Sequence, residues 1–186
     1  MAGCINYNCA DDLQDQVLND CGEKIEGGIP ELIIFDCGHE PTNPSDETEI
    51  TAIIAAGNAV HVKNVKVGIG KPTPVKPETM VSGQSPKVSI YEVVGTIMDG
   101  NVSVNSQAFY DSIDSVNGRT VGAILAATTG DPTIAYYINP PKGIVFEGGS
   151  VVPNDTDGFT HYDYEFHYKN KKAMEVITAP VGIFGN

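Results

Sequence analysis

The stretch His161-Tyr162-Asp163-Tyr164-Glu165-Phe166-His167-Tyr168 alternates at every step between an ionisable and an aromatic side chain. Successive side chains of a strand point to opposite faces, so the pattern predicts a β-strand. Tyr162, Tyr164, Phe166 and Tyr168 turn toward a core, and His161, Asp163, Glu165 and His167 turn away from it. Outward from this stretch, Thr120 to Ala127, Thr133 to Ile138, Gly143 to Glu147 and Met174 to Thr178 read as further short strands divided by Gly, Pro and Asp turns. Val88 to Met98 gives the strongest of the strands. Many short strands at near-regular spacing predict a mainly β protein, an antiparallel sandwich or barrel.

One flanking helix is expected over about 105–116. Asn105 or Ser106 can cap it, Phe109, Ile113 and Val116 fall at i, i+4 and i+7, and Asn117-Gly118 stops it. Before it, Asp99-Gly100-Asn101 has the chemistry of a hairpin turn leading into Val102-Ser103-Val104. Nearer the N-terminus, Leu13, Val17 and Leu18 behind Asp11 and Asp12 predict a short helix from Asp11 to Cys21. Glu31 to Asp36 and Thr48 to Ile54 read as strands, the second ended by Gly57. Val60, Val62, Val65 and Val67 mark another, and the break in their alternation at Asn64 predicts a bulge.

Residues 68–87 hold Pro72, Pro74, Pro77 and Pro86 among glycines and serines, a composition that excludes a central strand or helix. A long arm is expected. Lys71, Lys76 and Lys87 against Glu78 make it basic, and Met80 and Val81 give it apolar anchors. A connection of this length in a compact domain is usually functional or mobile, and a solvated flap is the alternative reading.

The chain has 186 residues with 24 acidic and 11 basic side chains, a formal charge of −13. That balance excludes general attraction to nucleic-acid phosphates or anionic lipid. The acidity is concentrated ahead of residue 50, where Lys24 is the lone base. Residues 1–47 are therefore read as an acidic, cysteine-containing segment and 48–186 as the β domain carrying the arm. No apolar run approaches a membrane span. Cys4, Cys9, Cys21 and Cys37 have irregular spacing with no C-x2-C knuckle, so they are expected as thiols, with no zinc. No basic and apolar segment precedes Cys4. A secretion signal and a lipid anchor are therefore not expected, and the reducing cytosol is the default.

Catalytic chemistry finds little footing. His161 with Asp163, or Glu165 with His167, has ligand types at same-face spacing, but a polar sheet face, turned to solvent or to a channel, accounts for the set. Asp155-Thr156-Asp157-Gly158 lacks the remaining ligands of a calcium loop. Gly68-Ile69-Gly70 lacks the third glycine of a dinucleotide loop, and no G-x-S-x-G elbow is present. Asp111 and Asp114 are expected on the exposed side of the helix. No catalytic residue, metal or cofactor is therefore expected, and the protein is not expected to be an enzyme.

The segments Asn101 to Ile113, Asn117 to Gly122, Pro140 to Ile144 with Val152-Pro153, and Ala179 to Phe184 together resemble the tail tube (major tail) proteins of tailed bacteriophages. The resemblance covers roughly residues 48–186. It implies packed sheets with a flanking helix, and self-assembly into rings that stack to form a tube. Partners would be other copies, other tail proteins, and DNA sliding through the lumen without specific binding. The product would belong to the virion, assembled in the host bacterial cytoplasm, with no membrane role. Other readings are a head-tail joining or capsid-decorating protein, and a cytosolic small-ligand binding module.

Overall fold

The computed structural model describes residues 29–75, 90–117, 119–127, 133–152, 159–172, 174–180 and 182–184. The helix expected at Asp11 to Cys21, Cys4, Cys9 and Cys21, the arm residues Lys76, Met80, Val81 and Lys87, and the Asp155 to Gly158 turn lie outside them. In chain order the elements are β1 (Ile29–Phe35), α1 (Glu47–Ala55), β2 (Ala59–Ile69), β3 (Thr73–Val75), β4 (Ile90–Asp99), α2 (Val104–Ile113), β5 (Ala123–Ala127), β6 (Ile134–Ile138), β7 (Val145–Val151), β8 (His161–Asn170) and β9 (Glu175–Thr178).

The strands form one antiparallel sheet in the order β7-β8-β4-β2-β1-β5-β6-β9, with β3 added to β4. The mainly β, antiparallel class therefore holds; among the described residues the strands make one sheet, which is not closed into a barrel between β7 and β9. It nevertheless curls strongly. Val121, just before β5, and Ile144, just before β7, exchange backbone hydrogen bonds of 2.9 and 2.8 Å, although β8, β4, β2 and β1 lie between those strands in the sheet.

The register explains the two layers of the core. Leu32 faces Val62 and Ile34 faces Val60, while Val67 faces Ile97 and Ile97 faces Tyr164, which gathers one apolar surface inside the curl. Tyr162, Tyr164, Phe166 and Tyr168 are buried on that side, as their alternation requires. α2 lies against it, with Tyr110 stacked on Tyr162 and Tyr164 at centroid distances of 4.7 and 4.8 Å. Ile33 and Phe35 point the other way and are also fully buried. Phe184 stands edge-on to His61, the register partner of Ile33, so the C-terminal residues cover this second surface. Gly182 N–H donates to Glu47 Oε2 at 3.2 Å and ties those residues to α1. β1, although it precedes residue 48, thus lies between β2 and β5 and is buried on both faces.

Three local expectations are corrected. Thr48 to Ile54 is not a strand but most of α1. Asp46 caps that helix by accepting from the N–H groups of Thr48 and Glu49 at 2.9 and 3.4 Å, and Glu47 and Glu49 suit its first turn. The β-branched content favours a strand, but the spacing of Ile50, Ile53 and Ile54 is helical, and tertiary packing of that stripe decides. Next, Asp99-Gly100-Asn101 does not open a hairpin: Asp99 Oδ1 accepts from Asn101 N–H at 2.8 Å and the chain enters α2, capped by Ser103, whose Oγ accepts from Ser106 N–H at 3.1 Å. Neither Asn105 nor Ser106 is the cap. α2 ends at Ile113, where Asp114 turns extended, and Val116, expected on the apolar stripe, is 89% exposed in a 3-10 turn.

The third correction concerns the arm's base. Gly68 and Ile69 belong to β2 and pair with Thr96 and Gly95, while β3, with Pro74, pairs only with β4. Proline is tolerated on such an edge, which needs no N–H on its outer side. The bulge at Asn64 is present: its φ is 57°, and the β1–β2 register shifts so that Ile29 meets Val67 while Glu31 meets Lys63. The shift moves the inward set from even to odd residues and keeps all four valines buried.

Gly95 leaves its face to Phe166, its register partner, whose ring occupies the space a Cβ would need. Gly95→Ala is expected to lower stability by about 3 kcal/mol through overpacking, read as a fall in the urea midpoint at unchanged slope.

Candidate functional site

The polar side of β8 faces solvent. Asp163 and Glu165 are exposed, and His161 and His167 are half-buried. His167 Nε2 lies 3.5 Å from Glu165 Oε2, and Lys169 Nζ lies 3.4 Å from Glu92 Oε1 on β4. His161 Nδ1 is 3.0 Å from the carbonyl of Phe159. The register sets Glu147 of β7 directly opposite Glu165, two like charges side by side. Such an arrangement repels anions and is destabilising within a sheet. The four β8 residues therefore share one face, as expected, and among the described residues no group of three or more His, Cys, Asp or Glu is placed to hold a metal ion.

The opposite side of β8 carries a network that composition does not reveal. Tyr110 Oη donates to Asp99 Oδ2 at 2.8 Å, and both residues are buried. Burial, and secondly the Asp99 charge, push the Tyr110 hydroxyl well above its usual range. Burial followed by the charges of Asp114 and Asp111 does the same at Tyr164. Tyr137 and Tyr168 are pushed up to about 12, in both cases chiefly by burial. Each of these shifts favours the neutral phenol in the folded chain. Its stabilising effect is complete below the ordinary tyrosine value near 10 and is lost as pH rises through the folded values. Absorbance at 295 nm should therefore show these tyrosines ionising late, in a cooperative step that coincides with loss of the far-ultraviolet signal between about pH 10 and 12; smooth ionisation near 10 with the fold intact would contradict this.

Between α2 and the outer end of β7 runs an open groove of about 680 Å³, lined by Asp111, Asp114, Val116, Gly148 to Ser150, Tyr162 and Tyr164. β7 is the last strand of the sheet, and on its far side the bridge is that of Asp114 to Phe146. At the other end of the sheet stands β9, with Val176 62% exposed. The sheet therefore ends in two unlike edges. No family model and no curated protein matches the chain.

Of the residues singled out in the sequence, Lys71 is exposed at the base of the arm beside β3. Gly70, just before it, donates to the Val94 carbonyl at 2.8 Å, and Val94 pairs with His167, so the single strand β4 separates Lys71 from the β8 polar face. Cys37 is buried, and its thiol donates to the Thr120 carbonyl at 3.0 Å, next to the Asp36–Arg119 ion pair at 3.1 Å. The residues that sequence reasoning missed are Asp99, Tyr110 and the Gly148 to Ser150 edge. Gly148-Gly149-Ser150 has loop composition, and only the alternation of Phe146 with its neighbours hints that the strand continues. Tyr110 sits beside Phe109 on the helical stripe, and that adjacency is the available signal.

Proposed function

We propose that this protein is a structural subunit that joins copies of itself into rings and stacks them as the tube of a phage tail, with no catalytic activity. The observation that carries this reading is that, among the described residues, the sheet is open and ends in two different edge strands, β7 and β9. A heterologous contact, in which one edge meets the other on the next copy, closes into a ring when the rotation closes. Exposed strand edges are otherwise a hazard in a protein that stays single, and strand addition from another copy removes it. β1 pairs with β2 only as far as Val67, so the β2–β3 and β4 hairpin runs on beyond it with β8 alongside, and is suited to reach a neighbouring ring. A formal charge of −13 suits a conduit through which DNA slides unbound.

Negative-stain imaging of the purified protein at increasing concentration, with mass measurement, tests the reading. Rings or tubes are expected. A monomeric mass at all concentrations and no tubes in virions would overturn it.

A further inference from the structure

We propose that the groove between α2 and β7 is the receptor for the basic arm beyond β3, residues 76–87, of a second copy of this chain. The inference rests on the assembly reading above and adds where the arm goes.

The groove has a definite chemistry. Its charged lining residues are Asp111 and Asp114, and no basic residue lines it. One wall is the outer edge of β7 at Gly148 to Ser150, where small side chains let another backbone approach. Val116, 89% exposed, stands among the lining residues as an apolar contact. Such a site takes an extended segment by strand addition, with main-chain hydrogen bonds supplying affinity and side chains supplying choice. The choice here is a cationic segment with an apolar residue.

Among the stretches outside the described residues, only that between Val75 and Ile90 offers this. Residues 1–28 hold Asp11, Asp12, Asp15, Asp20, Glu23 and Glu26 against Lys24 and would be repelled. Residues 128–132 and 153–158 carry Asp131, Asp155 and Asp157 and no base. Residues 76–87 have Lys76 and Lys87 against Glu78, with Met80 and Val81 between.

Placement points to a neighbour. The groove borders Tyr162 and Tyr164, which pair with Asp99 and Ile97, whereas the arm springs from Val75 and Ile90 near Tyr91, the partner of Asn170. From Ile90 to Ile97 a strand rises about 24 Å. The arm end of the sheet also bears Lys171 and Lys172, both exposed. They stand beside the Lys169–Glu92 pair, while Asp111 and Asp114 line the groove at the other end, so copies meeting head to tail bring arm and groove together.

Disulfide trapping decides the matter. Ser150→Cys and Met80→Cys are introduced together in the full chain, since Ser150 is exposed at the groove. Under mild oxidation at assembling concentration, a ladder of dimers and higher species on a non-reducing gel is expected, beyond any seen for the parent or either single variant. In parallel, Asp111→Lys should weaken assembly at least tenfold, and Lys76→Asp in the same chain should restore it. Tubes that form normally without the ladder, or a cross-link confined to monomers, overturn the arm-to-groove contact and leave the ring reading standing. A parent that never assembles removes the functional reading and this inference with it.

Discussion

Tyr110→Ala is expected to destabilise the protein by about 4 kcal/mol, the range for truncating a fully buried aromatic. The ring is stacked between α2 and two tyrosines of β8, and its hydroxyl is bonded to a carboxylate that is itself fully buried. Removing it opens a cavity and takes a donor away from Asp99, so the two costs add. For a chain of this size the loss corresponds to a fall in Tm of about 8–16 °C. Tyr110→Phe separates the terms: it keeps the packing and removes only the bond to Asp99, for about 1–3 kcal/mol. A melting temperature within a degree of the parent for Tyr110→Ala would show that α2 is not held by this contact.

The second large effect concerns assembly. Deleting residues 72–84 and bridging the gap with a short Gly-Ser linker removes β3, which pairs only with β4, and most of the arm. The remaining sheet keeps all its other pairings, so a folded monomer with native-like circular dichroism is expected, unable to form tubes. Ordering the arm against a neighbour costs about 1–2 kcal/mol per residue of backbone entropy. Exposed pairs of Lys71, Lys76 and Lys87 with carboxylates contribute about 0–1 kcal/mol each and cannot offset that. Main-chain bonding and apolar contact from Met80 and Val81 must supply the rest. Normal tubes from the deletion variant in electron micrographs would reduce the arm to a solvated flap.

How much of this was written in the sequence depends on whether a pattern is local. β8 was legible because its two faces differ completely in chemistry, and alternation needs no knowledge of the partner strand. The Asn64 bulge was legible for the same reason, as a slip of phase between Val62 and Val65. α1 was misread because Thr48, Ile50, Thr51, Ile53 and Ile54 are β-branched, while the deciding facts were a cap at Asp46, the burial of Ile50 in the core and a bond from the distant Gly182 N–H to Glu47. Sheet order was illegible in principle: alternation assigns a side chain to a face and says nothing about which strand lies alongside. The prolines of 68–87 argued against strand, yet Gly68, Ile69 and Thr73 to Val75 all pair with β4, because an edge asks nothing of an outward N–H, whereas the groove that faces the α2 side of β7 exists only once β7, β8 and α2 have met.

The double burial of β1 has a consequence for how the chain is made. Leu32-Ile33-Ile34-Phe35 finds its first neighbour, β2, soon after it emerges, but its second, β5, lies about 90 residues further on, a wait of about 5 to 20 seconds at ordinary rates of protein synthesis. During that interval one side of an apolar, high-propensity strand stands open beside other nascent chains, the arrangement from which cross-chain pairing starts. Expression yield should therefore be governed less by the final stability of the sheet than by crowding at the ribosome, and slower growth at low temperature or extra trigger-type chaperone should recover material that rapid induction loses to inclusion bodies.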